Sequence, residues 1–268
     1  MANLPADIHM HTKLCGHAVG EIHEYIERGI ALGLEAIGFS FHLPVAIPVP
    51  YKVNKTREEM DFLVTEIDRL RRTYGATIPI LFGGEADYLP GSEREVEELA
   101  AAYPLDYLIG SVHFVGDWAF DHPAEIERYA DWDLRELYAR YFGLVRDAVR
   151  TRLFDIVGHI DLVKKFGYRP SSDWSEILGE TCAAIRTQDL CVEINTAGFD
   201  KPVKEQYASD PFIRECFELG IPIAFGSDAH APREVGRYFG EAVALARGAG
   251  YRSYAYFGNR RRSLRPIP

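Results

Sequence analysis

Short apolar runs alternate seven times with longer segments of helical period, and few folds accommodate that rhythm. The apolar runs are Ala6–His11, Ala36–His42, Ile78–Asp87, Asp106–Phe114, Asp155–Ile160, Cys191–Thr196 and Ile221–Asp228, with Ser253–Phe257 as an extra piece. Helices are expected near Gly20–Leu32, Arg57–Tyr74, Ser92–Ala102, Leu134–Thr151, Asp173–Gln188, Asp210–Leu219 and Pro232–Arg247. The pattern predicts an α/β chain with a parallel sheet wrapped by helices, of the size of a β/α barrel. A doubly wound open sheet has the same chain order, so closure is not readable at this level. No repeat or flexible linker divides residues 1–268, which predicts a single domain; Leu43–Pro50 is a local proline-rich loop.

The ends of the apolar runs carry the chemistry. They deliver His9 and His11, His42, Glu85, His113, His159, Asn195, and Asp228 with His230, and His17 follows in the first loop. In a β/α barrel such tips converge on one face, where active sites sit. One strand-end histidine alone is more often a satisfied structural group than a ligand. Here seven of the nine histidines fall at strand ends or in the first loop, leaving His23 on a predicted helix and His122 in a turn. That joint pattern points to metal.

His9 and His11 are two apart on an expected strand, so both imidazoles face one side with Cα atoms roughly 6.5–7 Å apart. Glu85 and Asp87 also share a face, and spacing does not choose between them as ligand. Cys15 reads as a small buried thiol rather than a thiolate ligand. So many ligands exceed the needs of one ion, since a catalytic zinc keeps about three protein ligands and an open position. Two or three divalent ions are implied. Three such ions with Glu85, Asp228 and one hydroxide leave a site of roughly +3, which favours a phosphate monoester over an amide or neutral ester. Lys164, Lys165, Lys201, Lys204 and Arg233 follow the strand tips and agree in sign.

Charge narrows the partners. Thirty Lys and Arg against forty Asp and Glu give a net charge of −10, which opposes a general field for duplex nucleic acid or anionic membrane. Four cysteines without a CxxC pair read as reduced thiols. With no apolar run long enough to span a bilayer and no signal-like start, the expected location is the cytoplasm, with oligomeric state left open.

The motifs Asp7-Ile8-His9-Met10-His11-Thr12, Leu14-Cys15-Gly16-His17, Gly84-Glu85-Ala86-Asp87, Ile109-Gly110-Ser111-Val112-His113, Gly158-His159-Ile160-Asp161 and Gly226-Ser227-Asp228-Ala229-His230 resemble the polymerase and histidinol phosphatase (PHP) family, especially its monofunctional histidinol-phosphate phosphatases. The resemblance implies a distorted seven-stranded β/α barrel and three ions of zinc, iron or manganese. It implies His9, His11, Glu85 and Asp228 on the first ion, Glu85, His113 and His159 on the second, and His17, His42 and His230 on the third. The implied reaction is hydrolysis of L-histidinol phosphate to L-histidinol and phosphate by in-line attack of a metal-bridging hydroxide. Lys164, Lys165, Asn195, Lys201 and Arg233 are the candidate substrate contacts. Asp228 and His230 are the candidate proton managers, with a metal-bound water as a rival. The substrate amine would suit Asp161 or Asp87.

Three positions depart from the family pattern: Phe41 before His42 where Asp is usual, Asp200 where Arg commonly follows the Asn-Thr-Ala-Gly stretch, and Ala231 where Arg follows Asp-Ala-His. Other readings are a PHP-type phosphoesterase acting on another small ester or on nucleic acid ends, disfavoured by the acidic surface, and an amidohydrolase, which lacks a bridging lysine here. A non-catalytic metal-binding module would need coordinatively closed sites.

Overall fold

The computed structural model describes residues 4–46 and 56–268; residues 47–50 of the proline-rich loop lie outside them. In chain order the elements are α1 (Ile22–Leu32), β1 (Ile37–His42), α2 (Arg57–Tyr74), β2 (Ile80–Asp87), α3 (Glu93–Ala102), β3 (Tyr107–Ser111), β4 (Phe114–Val115) and β5 (Trp118–Ala119). There follow α4 (Leu134–Thr151), β6 (Ile156–Val157), α5 (Ser175–Gln188), β7 (Cys191–Asn195), α6 (Asp210–Glu218), β8 (Ile223–Gly226), α7 (Phe239–Ala249), β9 (Ser253–Gly258) and β10 (Arg261–Pro266). Among the described residues, no helix is long and apolar enough to cross a membrane.

The helices follow their sequence signals. Thr56 caps α2 by accepting from Glu59 N at 3.2 Å, while Glu59 Oε2 accepts from Thr56 N at 2.7 Å. From there Met60, Leu63, Ile67 and Leu70 fall on one buried face, each contributing roughly 1.5–3 kcal/mol. Asp133 caps α4 in the same manner, accepting from Glu136 N at 2.9 Å.

A curled parallel sheet of six strands, in the order β1-β2-β3-β6-β7-β8, forms the centre. Its strands are buried on both faces, which explains their continuous apolar runs. The expected seventh strand, Ala6–His11, is not a regular strand. It touches both sheet edges through isolated parallel bridges, Asp7 to Ile37 on the β1 side and Met10 to Ala229 beyond β8. Backbone bonds reach both neighbours, from Asp7 N to Ala36 O at 3.1 Å and from Ile8 N to Phe225 O at 3.1 Å, and side chains add to them: Asp7 Oδ1 accepts from Ser227 N at 2.9 Å, Ser40 Oγ accepts from Met10 N at 3.1 Å, and Tyr107 Oη donates to Ile8 O at 2.6 Å.

Two further expectations change. The helix expected over Pro232–Arg247 is a short turn at Pro232–Glu234 followed by α7, because Gly236 and Tyr238 take left-handed conformations with φ of 64° and 54°. The piece expected at Ser253–Phe257 is β9, and it pairs antiparallel with β10, outside the central sheet. This hairpin packs at the N-terminal ends of the strands, where Asn259 N donates to Asp106 Oδ1 at 3.0 Å. The opposite, C-terminal end is left to the polar tips.

Candidate metal centre

Seven imidazoles and two carboxylates from separate segments meet at that end. His11 lies in the middle, its ring centroid 4.7 Å from both His42 and His230 and 5.5 Å from His17. On the other side His9 stands 5.3 Å from His11 and 5.6 Å from His159, and His113 stands 5.0 Å from His159.

Glu85 spans the two sides. Its Oε1 is 3.1 Å from His159 Nε2 and 3.7 Å from His113 Nε2. Its Oε2 is 3.3 Å from His11 Nε2, 3.4 Å from His42 Nδ1 and 3.5 Å from His9 Nε2. Asp228 Oδ1 closes the cluster, 3.4 Å from His11 Nε2 and 3.8 Å from His9 Nε2. Asp228 holds a φ of 50°, a conformation that non-glycine residues adopt rarely and that clusters at functional sites.

Four rings are aimed by contacts at Nδ1, which leaves Nε2 for the centre. His9 Nδ1 pairs with Glu193 Oε1 at 2.7 Å and His113 Nδ1 with Asp87 Oδ1 at 2.5 Å. His17 and His230 use backbone carbonyls, those of Cys15 at 2.9 Å and Asp228 at 2.8 Å. Of the two acids that spacing left open, Glu85 sits among the rings, and Asp87 contacts one of them, His113, at Nδ1. Cys15 is buried, its Sγ 3.7 Å from His11 Nδ1. His23 is exposed on α1, and His122 caps the turn at Pro123–Asp131 through Nδ1, 3.2 Å from Ala124 N.

The donor set suits divalent cations. In three groups the ligand atoms lie within 4.8 Å of one another, close enough to hold an ion, and the groups share His9 and His11: His11, His17 and His42; His9, His11 and Asp228; His9, Glu85 and His159. Buried His9 Nε2 and His42 Nδ1, both turned toward Glu85, have no hydrogen-bond partner, a cost of roughly 1–3 kcal/mol each that a coordinated ion removes. Burial pushes His11 and His42 down to about 3, which keeps them neutral with lone pairs available. Burial also opposes protonation of His9, but Glu193, Asp228 and Glu85 outweigh it and raise its pKa well above the ordinary histidine value. The same carboxylate field attracts a metal.

Glu193 and Arg237 were missed from the sequence. Glu193 is a fully buried acid inside the apolar run of β7, and that placement was the available signal. Besides His9, its Oε2 accepts from His159 N at 2.8 Å. Gly226 makes room for it: a Cβ there would lie 2.0 Å from Glu193 Oε1 and 2.6 Å from His9 Cβ.

The centre opens into a pocket of about 470 Å³ whose wall includes Lys165, Lys201 and Arg237. Of the five expected substrate contacts, Lys165 and Lys201 line it and three do not. Lys164 is buried in pairs with Asp161 at 2.8 Å and Glu205 at 2.5 Å, so its charge is already spent. Asn195 is buried behind the cluster, donating to Glu193 Oε2 at 3.1 Å and Asp228 Oδ2 at 3.5 Å. Arg233 points to solvent, with a side chain 79% exposed beside Glu234. Arg237 takes the place on the wall instead, drawn by Asp200, which accepts from its Nη1 at 3.0 Å. Asp161, one of the two acids expected for a substrate amine, is also outside the pocket, and Asp87 is committed to His113.

Comparison with known proteins places the chain in a family. Residues 7–197 match the PHP domain, and residues 213–242 match a PHP-associated segment. The chain belongs to the PHP family. A probable histidinol-phosphatase of Deinococcus radiodurans is 37% identical to this PHP protein over 97% of this chain and 98% of its own length. The histidinol-phosphatase of Bacillus subtilis is 28% identical over 86% of this chain and 95% of its own length. Among solved PHP-like structures, the histidinol phosphate phosphatase of Lactococcus lactis, complexed with zinc, L-histidinol and phosphate, aligns with a TM-score of 0.83 and 25% identity, covering 96% of this chain and 98% of that one.

Proposed function

We propose that this protein is a metal-dependent phosphomonoesterase that hydrolyses L-histidinol phosphate to L-histidinol and phosphate. The observation that carries the reading is Glu85, placed between two groups of histidines with its two oxygens facing opposite sides, at the floor of a pocket walled by Lys165 and Lys201. That is the geometry of a shared ligand, and the full-length likeness to histidinol-phosphatases supports the substrate.

Our reading assigns three divalent ions, of zinc, iron or manganese. His9, His11, Glu85 and Asp228 hold the first; Glu85, His113 and His159 the second; His17, His42 and His230 the third. Such ions supply Lewis acidity at the phosphoryl oxygens and lower the pKa of water toward neutrality. The chain does the rest. Lys165 and Lys201 line the pocket beside the cluster, where their charges neutralise the outer phosphoryl oxygens of a bound ester as charge builds toward the leaving group. Asp228 and His230 stand at the open side of the cluster, where the proton needed by the leaving alkoxide must arrive. The carbonyl of Asp228 fixes His230 Nδ1, so the ring keeps one orientation.

The same reading makes residues 4–11 the seventh stave of a distorted barrel, the chain a single domain over residues 1–268, and the cytoplasm its location. It names a small phosphate monoester and no nucleic acid as partner. The test is phosphate release by purified protein of known metal content, with L-histidinol phosphate and a single-stranded oligonucleotide in parallel. Rapid release from the ester with no end trimming is expected. End trimming without phosphate release would overturn the assignment.

A further inference from the structure

Among the described residues, five carboxylates line the pocket, and four have tasks. Glu85 and Asp228 lie within the metal cluster, Asp87 orients His113, and Glu234 accepts from His230 N at 2.8 Å while standing 3.6 Å from Arg237 Nη1. Asp121 remains. Its Oδ2 accepts from Lys165 Nζ at 3.0 Å, and Lys165 is itself on the wall. Burial opposes ionisation of Asp121, but Lys165 and then His113 outweigh it and hold the carboxyl below its ordinary range. Beside it the wall turns apolar with Phe114, Ala119 and Pro123.

We propose that Asp121 is the specificity-determining residue that receives the substrate's primary ammonium, and that the Asp121–Lys165 pair selects phosphate esters carrying an amine on the carbon next to the ester carbon. The inference rests on the phosphatase reading and deepens it. In such an ester the two charges are separated by one short span, as are the pair's own. Binding then exchanges partners: Lys165 turns from Asp121 to a phosphoryl oxygen, and the ammonium takes its place on Asp121. Each half-buried charge keeps an opposite neighbour throughout, so no unpaired charge is left in the pocket. An ester without the amine leaves Asp121 unpaired once Lys165 has turned away, and hydrogen-bonding groups left unpaired are what give such pockets their discrimination.

The experiment compares kcat/KM for two pairs of esters, L-histidinol phosphate against imidazolylpropyl phosphate and aminoethyl phosphate against ethyl phosphate. Wild type is expected to prefer the amine of each pair by roughly 10- to 100-fold, the range of a charged hydrogen bond. Asp121→Asn should abolish that preference from both sides, raising KM for the amine esters and lowering it for the esters without the amine, which no longer strand a carboxylate, and Asp121→Glu should restore part of it. Metal content and melting temperature equal to wild type exclude a folding defect, and the wild-type preference needs no variant. Equal activity of wild type on both members of each pair, or an equal loss on both in Asp121→Asn, would overturn the proposal while leaving the phosphatase reading intact. Inactivity on L-histidinol phosphate with a retained preference for aminoethyl phosphate would overturn that reading and leave this one standing.

Discussion

Arg237 holds the backbone of Asp228: its Nη2 donates to the Asp228 carbonyl at 3.0 Å, and its Nε donates to the preceding Ser227 carbonyl at 3.0 Å. The clasp secures a turn in which Asp228 has a positive φ, and so sets where the carboxylate meets His9 and His11. Charge-assisted bonds of this kind contribute roughly 1.5–3 kcal/mol each. Arg237→Ala should therefore lower kcat/KM by about 100-fold or more and weaken metal retention, with partial recovery on adding guanidinium. Steady-state kinetics with elemental analysis check this; unchanged metal content and no guanidinium recovery would count against a clasp.

Glu193 fixes His9 through Nδ1 and His159 through its amide. Glu193→Gln keeps the shape and removes the charge. Metal affinity or activity should fall about 10- to 100-fold, as for other carboxylates that orient a ligating histidine. Titration with a competing chelator measures it, and wild-type affinity in the variant would contradict the role.

The Gly226→Ala substitution adds a methyl group where Glu193 and His9 already fill the space. Overpacking of this sort costs about 1–3 kcal/mol. A lower melting temperature together with reduced metal content is the expected outcome, read by calorimetry and elemental analysis on the same sample.

Burial, with the neighbouring Lys165 charge, lowers the pKa of Lys201 from its ordinary value of 10.5. The ammonium is the form that attracts phosphate, so it is lost as pH rises through a value below that of a free lysine. Inhibition by inorganic phosphate should weaken on the alkaline side, and Lys201→Arg should extend inhibition to higher pH because guanidinium stays charged. An identical pH profile in the variant would remove Lys201 from phosphate binding.

Much of this could be read from the sequence because the signals were local. The segment Arg57–Tyr74 carries its own capping box and apolar spacing, and the expected helix coincides with α2. All nine expected metal ligands lie at the C-terminal end because strand direction alone decides which end a tip residue reaches. The seventh strand was legible only as an apolar run. Part of its hydrogen bonding runs through the side chains of Asp7, Ser40 and Tyr107, and contacts between residues 8 and 107 leave no mark on periodicity. The phosphate-side cations failed for a similar reason. Lys164 and Lys165 look alike in sequence, yet Lys164 is paired with Asp161 and Glu205 while Lys165 reaches the wall beside Asp121.

Glu85, as we propose, joins separate groups of ligands into one centre. Elemental analysis of wild type and Glu85→Gln, both expressed with ample transition metal and purified without chelator, tests it most directly. About three ions per wild-type chain are expected, with the loss of more than one in the variant, because in this proposal two ions would share that carboxylate. Less than one tightly held ion in wild type, or full occupancy in Glu85→Gln, would contradict it.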